Sequence, residues 1–457
     1  MRPLLVDGPR VIGMTAPEDV VEGGALFIED GVITARDAAA RTRFSSLAAA
    51  GTAVERVAAA GLWALPGFVQ THVHLCQTLL RNGPDDLELL PWLEQHVWPG
   101  EAAHDTITLE ISARMGLAEL LAGGTTSILD MGTVRHTDAV FRAALASGMR
   151  VTSGNALMDD PATNPPYLHA ETAEGLAETE RLRLAWHGHE GRLRVAFCPR
   201  FAVSCTRRAL EEAGEAARRH GLLVHTHASE NRGEIALVRE RTGLANIHYL
   251  ESVGLAGKNV VLAHVVHTEE SERESLAAKG THVAHCPSSN LKLASGICPV
   301  PDYLRRGISV SLGADGAPCN DRLDAFSELR LAALLPKMSF GPRGIPAWDA
   351  LSLATVNGAK ALGLDGVGTL ATGMRADFTL LDPEAGFTRP HAHRGDPYGP
   401  IVYSFSRENV VATYVDGVER FHRDRLDAFP LRPSGAEIED AALTLRNRTR
   451  ALLRRNP

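Results

Sequence analysis

The pattern of apolar and polar positions changes character twice along this chain. Residues 1–62 carry short β-type runs separated by turns, and ALFIEDGVI is a strand pattern broken at Asp30-Gly31, which predicts a hairpin. The Ala/Arg-rich stretch from Arg36 to Val57 fits either a helix or a loop. From about Leu65 eight short apolar runs recur, each followed by a helix-length segment: 64–74, 125–131, 149–155, 193–199, 222–228, 259–264, 281–286 and 309–315. Intervening stretches such as TITLEISARMGLAELLAGG and TRRALEEAGEAARRHG have helical periodicity and close on glycine. Apolar strands alternating with helices predict a parallel sheet covered on both faces, and eight such units predict an α/β fold closed as a distorted (β/α)8 barrel. The alternative, an open doubly wound sheet, requires a glycine-rich phosphate loop after the first strand, and none stands there.

After about Ala361 the pattern returns to β, in VGTLATGMRADFTLLDPEAG and ENVVATYVDGVERF. Residues 1–62 and 362–433 are therefore expected to pair into one small composite β-sandwich domain, with the barrel over 63–361. From Ser434, a plausible N-cap, AEIEDAALTLRNRTRALLRR reads as an amphipathic helix with basic residues at its end, assigned to 434–457.

Composition narrows the class without choosing a function. The 457 residues allow a large core. A net charge of −8, with no basic run or basic stripe interleaved with aromatics, argues against nucleic-acid or anionic-membrane partners. No run of apolar residues approaches the ~18 needed to span a membrane. The N-terminus lacks a long apolar segment with a small-residue cleavage site, so a cytoplasmic protein is expected. The six cysteines form no CxxC pair and read as free thiols.

Candidate chemistry gathers where the apolar runs end, the end of a barrel's strands at which active sites form. The first run ends in His72-Val73-His74, and residues two apart on a strand share a face, so both imidazoles can reach one metal. The fifth ends in His225-Thr226-His227 with Glu230 beyond it, the sixth in His264 and the eighth in Asp315. A lone HxH is weak evidence; histidines at three strand ends plus an aspartate at a fourth form a metal-type set. Metal ligands are assigned to His72, His74, His227 and Asp315, a donor set suited to Zn²⁺ and also open to Fe²⁺ or Mn²⁺. A binuclear site in such a barrel usually needs a bridging residue, often a modified lysine, at the fourth strand's end. RVAFCPRF offers Arg200 and no lysine, which favours one metal. That metal would lower the pKa of bound water toward ~7 and generate hydroxide. Asp315 is placed to accept the water's proton, His264 to orient or deprotonate the water, and Glu230 to carry a proton to a ring nitrogen and then to a leaving amine. His225 is assigned to the face opposite His227 and read as structural. His267, His282 and His285 are read as supporting or surface histidines.

PGFVQTHVH, HASE, AHVVH and LGADGAP together resemble the amidohydrolase superfamily, in its branch of cytosine, guanine and adenosine-derivative deaminases, over nearly the whole chain. The resemblance implies the same ligands, with Glu230 as proton shuttle, His264 against the attacking water, and often a homo-oligomer. HLCQTLLRN followed by DDLELLPWLEQHVWPGE is similar to methylthioadenosine/S-adenosylhomocysteine and 5′-deoxyadenosine deaminases. By that likeness Trp92 lines a nucleoside pocket, Glu101 binds the ribose hydroxyls and Gln77 contacts the base.

Two departures bear on the substrate. S-adenosylhomocysteine deaminases carry a histidine where this chain has Arg200, whose PRF context resembles guanine deaminases, so Arg200 meets N3 of adenine or O6 of guanine. An arginine that grips the homocysteine carboxylate in some relatives corresponds to Asn155, which favours a short, uncharged 5′ group. The expectation is a purine-directed deaminase acting on 5′-deoxyadenosine or methylthioadenosine through metal-bound hydroxide at purine C6. Guanine, an oxidised purine or a triazine stands as the alternative. Glu101 argues for a nucleoside and Arg200 for a free base.

Overall fold

The computed structural model describes residues 2–83, 85–386 and 395–455. Eight parallel strands form the central sheet in the spatial order Leu193–Val195, Arg150–Ser153, Thr125–Asp130, Phe68–His74, Ser309–Leu312, His282–His285, Val260–His264 and Val224–Ala228. The two outer members meet through parallel bridges between Phe197 and Val224 and between Phe201 and His227, which close the sheet into a barrel. Closure is uneven on that side. The fourth run splits into Leu193–Val195 and Cys198–Pro199, and the latter pairs with Ala156–Leu157 instead.

Two further splits separate the elements from the expected runs. The run 64–74 is two strands, because Trp63–Pro66 joins the terminal sheet and Phe68–His74 opens the barrel. Gly67 is the hinge: a Cβ there would lie 2.1 Å from Cγ2 of Thr126, so only glycine lets the chain change sheets at this spot. The run 309–315 breaks between Leu312 and Asp315, and a Cβ on Gly313 would lie 2.7 Å from the carbonyl oxygen of His72. Asp315 then pairs beside Val73 and delivers its carboxylate next to the first strand's histidines.

Local signals explain the helices. Thr106–Ala122 starts at a capping box between Asp105 and Thr108 and stops at Gly123. Arg207–His220 starts at the Thr206 cap and ends at Gly221 in the left-handed region. Asp37–Ala49 resolves the ambiguous Ala/Arg-rich stretch as a helix. Both ends of the chain contribute to a six-stranded sheet in which Val20–Val21, Arg10–Ile12 and Trp63–Pro66 continue into Phe378–Leu381, Val410–Val415 and Val418–His422. A four-stranded sheet holds the hairpin of Ala25–Glu29 and Val32–Arg36 turned at Asp30-Gly31. At the barrel's opposite end from the histidines, buried Arg150 joins the two parts by pairing with Asp377 and Asp416. Helix Gly435–Arg455 packs on Thr106–Ala122, burying Ala441 and Leu445. All six cysteines are buried and unpaired. No helix among the described residues is long and apolar enough to cross a membrane.

Candidate active site

The strand ends bring His72, His74, His227, His264 and Asp315 together, buried except for the half-buried His227, and all but His72 border one cavity. Nε2 of His74 lies 3.2 Å from Nε2 of His227. Oδ1 of Asp315 lies 3.3 Å from Nε2 of His72 and 3.4 Å from Nε2 of His74. In two overlapping sets, His72 with His74 and Asp315, and His72 with His227 and His264, the donor atoms lie within 4.8 Å of one another.

The surrounding hydrogen bonds prepare these atoms for a cation. The carbonyl of Val261 only accepts, so Nδ1 of His225, 3.0 Å away, is the donor and Nε2 of His225 is a lone pair. Nδ1 of His72 therefore donates to that lone pair at 2.7 Å, which leaves Nε2 of His72 unprotonated, buried and without a hydrogen-bond donor, facing Asp315. Nδ1 of His227 donates to the carbonyl of Arg200 at 2.6 Å, which likewise frees its Nε2. Burial holds His72, His74 and His227 below the ordinary histidine range and so keeps them neutral. Burial alone would raise Asp315, but the facing imidazoles of His72, His264 and His74 hold its carboxyl well below the usual range. Neutral imidazole nitrogens and an ionised carboxylate turned toward one point fit a divalent metal.

His225 is on the same face as His227, not the opposite one. Residues two apart on a strand share a face, and its ring contacts His72 directly. His285 and His282 are also buried, with Nδ1 of His282 against the Ser309 hydroxyl. His267 bonds the carbonyl of Ser295 at 2.6 Å.

Glu230 is 2% exposed and borders the cavity. Its Oε2 lies 3.5 Å from Nε2 of His264, which is itself 3.7 Å from Oδ2 of Asp315. Burial pushes the Glu230 carboxyl up to about 7, against the opposing pull of His264. Nδ1 of His264 meets Oδ1 of Asn290 at 2.9 Å. Ser229, His264 and Asp315 sit at positive φ (51°, 72° and 63°), sparsely populated for these residues and recurrent at functional sites.

Of the expected substrate contacts, Gln77, Trp92 and Arg200 border the cavity. Glu101 stands behind them in a buried bidentate pair with Arg200 and accepts from Nε2 of Gln77 at 2.8 Å. Burial alone would lower the Arg200 pKa, but Glu101 more than offsets it and the value is raised. Asn155 is not brought to the cavity: its amide packs against the carbonyls of Val134 (3.1 Å) and Thr133 (3.2 Å). The remaining wall, Leu89, Leu93, Phe201 and Leu293, was not singled out from the sequence, nor was Asn290. Apolar residues in short helical turns such as Leu89–Trp92 and Leu93–Val97, or in loops, carry no local mark of a pocket. Asp130 was also missed. It ends the second barrel strand, accepts from the backbone N–H groups of Leu75 (2.8 Å) and Gly132 (3.0 Å), and so pins the turn that follows His74.

A parallel barrel with a histidine–aspartate cluster at the carboxyl ends of its strands defines a metal-dependent hydrolase. The amidohydrolase family pattern matches residues 63–420, and the chain belongs to that family. It is 36% identical over 421 residues to a 5′-deoxyadenosine deaminase of Methanosarcina mazei, covering 91% of this chain and 92% of the relative. It is 33% identical over 457 residues to a 5-methylthioadenosine/S-adenosylhomocysteine deaminase of Pelotomaculum thermopropionicum, covering 98% and 100%. Among solved structures, an adenosine deaminase of Xanthomonas campestris with bound zinc superposes with a TM-score of 0.86 at 29% identity, covering 98% of each chain.

Proposed function

We propose that this protein is a hydrolytic deaminase of an adenosine derivative, with 5′-deoxyadenosine or methylthioadenosine as substrate and a single zinc ion at His72, His74, His227 and Asp315. The observation that carries the reading is Glu230, a buried carboxyl held near neutrality 3.5 Å from His264 at the edge of the ligand cluster. A divalent metal there supplies Lewis acidity that activates water at neutral pH. Asp315 and His264 take the water's proton and hold its oxygen toward C6 of the purine. Glu230 protonates N1 as the C6–O bond forms; the water's first proton, held at Asp315 and His264, then passes through the ionised Glu230 to the departing amine as the C6–N bond breaks. The remaining hydroxyl proton returns Glu230 to its acid form, so the products are ammonia and the inosine derivative protonated at N1. The names of the relatives supply the purine nucleoside, and the polar residues bordering the cavity, Gln77 and Arg200, suit a heteroaromatic edge. A homo-oligomer in the cytoplasm belongs to the same reading; light scattering and cell fractionation test it.

Conversion of 5′-deoxyadenosine to 5′-deoxyinosine, followed by ultraviolet absorbance and ammonia release, is the direct test. No turnover of any 5′-modified adenosine would overturn the reading. The second reading is a guanine or oxidised-purine deaminase, favoured by Arg200 bordering the cavity while Glu101 does not. An ammonia-release screen that includes guanine, 8-oxoguanine and amino- or chlorotriazines separates the two.

A further inference from the structure

Glu101 and Arg200 lie 99 residues apart, and both side chains are almost fully buried, at 1% and 4% exposure. Oε2 of Glu101 accepts from Nη1 of Arg200, and Oε1 accepts from Nη2 of Arg200 at 3.1 Å and from Nε2 of Gln77 at 2.8 Å. The thiol of Cys76 approaches Oε1 as well, at 3.7 Å. Oε1 is thus saturated by protein donors, and Oε2, held by Arg200, belongs to a side chain that does not border the cavity. Arg200 and Gln77 border the cavity and Glu101 does not, so a sugar diol would reach this carboxylate only if one of them moved aside, and displacing Arg200 would leave a buried guanidinium without its counter-charge.

The same contacts dictate what faces the cavity. A carboxylate only accepts, so Gln77 must turn its NH₂ to Glu101, and its Oε1 is then a buried acceptor without a partner. Arg200 keeps N–H groups beyond the two given to Glu101, and both Arg200 and Gln77 border the cavity. Leu89, Trp92, Leu93, Phe201 and Leu293 form the rest of the wall outside the histidines and carboxylates, a surface with little to offer hydroxyl groups.

We propose that Glu101 is a positioning residue that locks Arg200 and Gln77 as a donor and an acceptor for the purine, and that the 2′ and 3′ hydroxyls of the sugar are not recognition elements. The accepted substrates then extend to adenosine derivatives lacking both hydroxyls. This rests on the reading as an adenosine-derivative deaminase.

The test compares 5′-deoxyadenosine with 2′,3′,5′-trideoxyadenosine on the zinc-loaded wild-type enzyme, which requires no variant to fold. The expected result is kcat/KM values within about threefold of each other. Direct hydrogen bonds from the diol to an ionised carboxylate would instead make the loss about a hundredfold or more, and that result overturns the proposal while leaving the deaminase reading intact. No turnover of either substrate overturns both. In variants that retain the wild-type thermal transition, Glu101→Gln is expected to raise KM for both substrates alike, with kcat changed less. Glu101→Gln/Arg200→Gln is expected to lose no more than Arg200→Gln alone. A Glu101→Gln defect confined to the hydroxyl-bearing substrate would overturn the proposal.

Discussion

The carbonyl oxygen of Arg200 accepts a hydrogen bond from Nδ1 of His227 at 2.6 Å, while the guanidinium of the same residue grips Glu101. One residue therefore holds a member of the candidate metal cluster through its backbone and borders the cavity through its side chain. The two roles separate on mutation. Arg200→Ala keeps the carbonyl and is expected to bind one zinc per chain by elemental analysis, while kcat/KM falls about a hundredfold or more. Loss of zinc in this variant would mean that the side chain, not the carbonyl, supports the cluster.

His225→Phe removes the lone pair that orients His72. The ring of His72 loses its fixed tautomer, and zinc affinity should fall about 10- to 100-fold. Competition with a chelator of known affinity measures this without reference to turnover. An unchanged affinity would show that packing alone orients His72.

Glu230→Gln retains shape and burial but cannot shuttle a proton. Turnover is expected to drop about 10²- to 10⁴-fold with zinc content unchanged. Thermal stability should hold or rise, because the amide replaces a carboxyl that burial already pushes up to about 7. A large fall in the melting temperature would point to a structural role instead.

Glu328 provides a pH dependence outside the reaction. Burial pushes its carboxyl from 4.5 up to about 8, against hydrogen bonds from Ser288 and Asn320. The folded chain therefore holds this proton up to about pH 8, whereas the unfolded chain releases it near 4.5. Across that window the folded state binds more protons, so this group's contribution to stability falls as pH rises and levels off above about 8. Glu328→Gln should lack this component, narrowing the difference in urea stability between about pH 5 and about pH 9 by a few kcal/mol. Equal pH slopes in the variant and the wild type would contradict it.

Much of the architecture was legible because it follows from local periodicity. A strand repeats every two residues and a helix every 3.6, so the alternation of runs announced eight strands with their helices, and HxH put His72 and His74 on one face. The same rule, applied to His225 and His227, gives one shared face. Placing His225 on the opposite face misapplied a period that was present in the sequence. The run 64–74 shows the limit of such reasoning. Its apolar character is continuous, and only the close approach of Thr126 to Gly67 reveals where one sheet ends and the next begins.

By itself, the sequence determined that the chain alternates strand and helix, and that His72, His74, His227 and His264 lie at strand ends with Asp315 just beyond the eighth strand. Those properties reside in the backbone's own geometry. The tertiary structure alone decided which side chains meet across the barrel: His225 against His72, Glu101 against Arg200, and Asn155 turned to the backbone. Those pairings depend on strand register and on where distant loops fold back. Residues 99 positions apart carry no local sign that each will satisfy the other's charge once water is excluded.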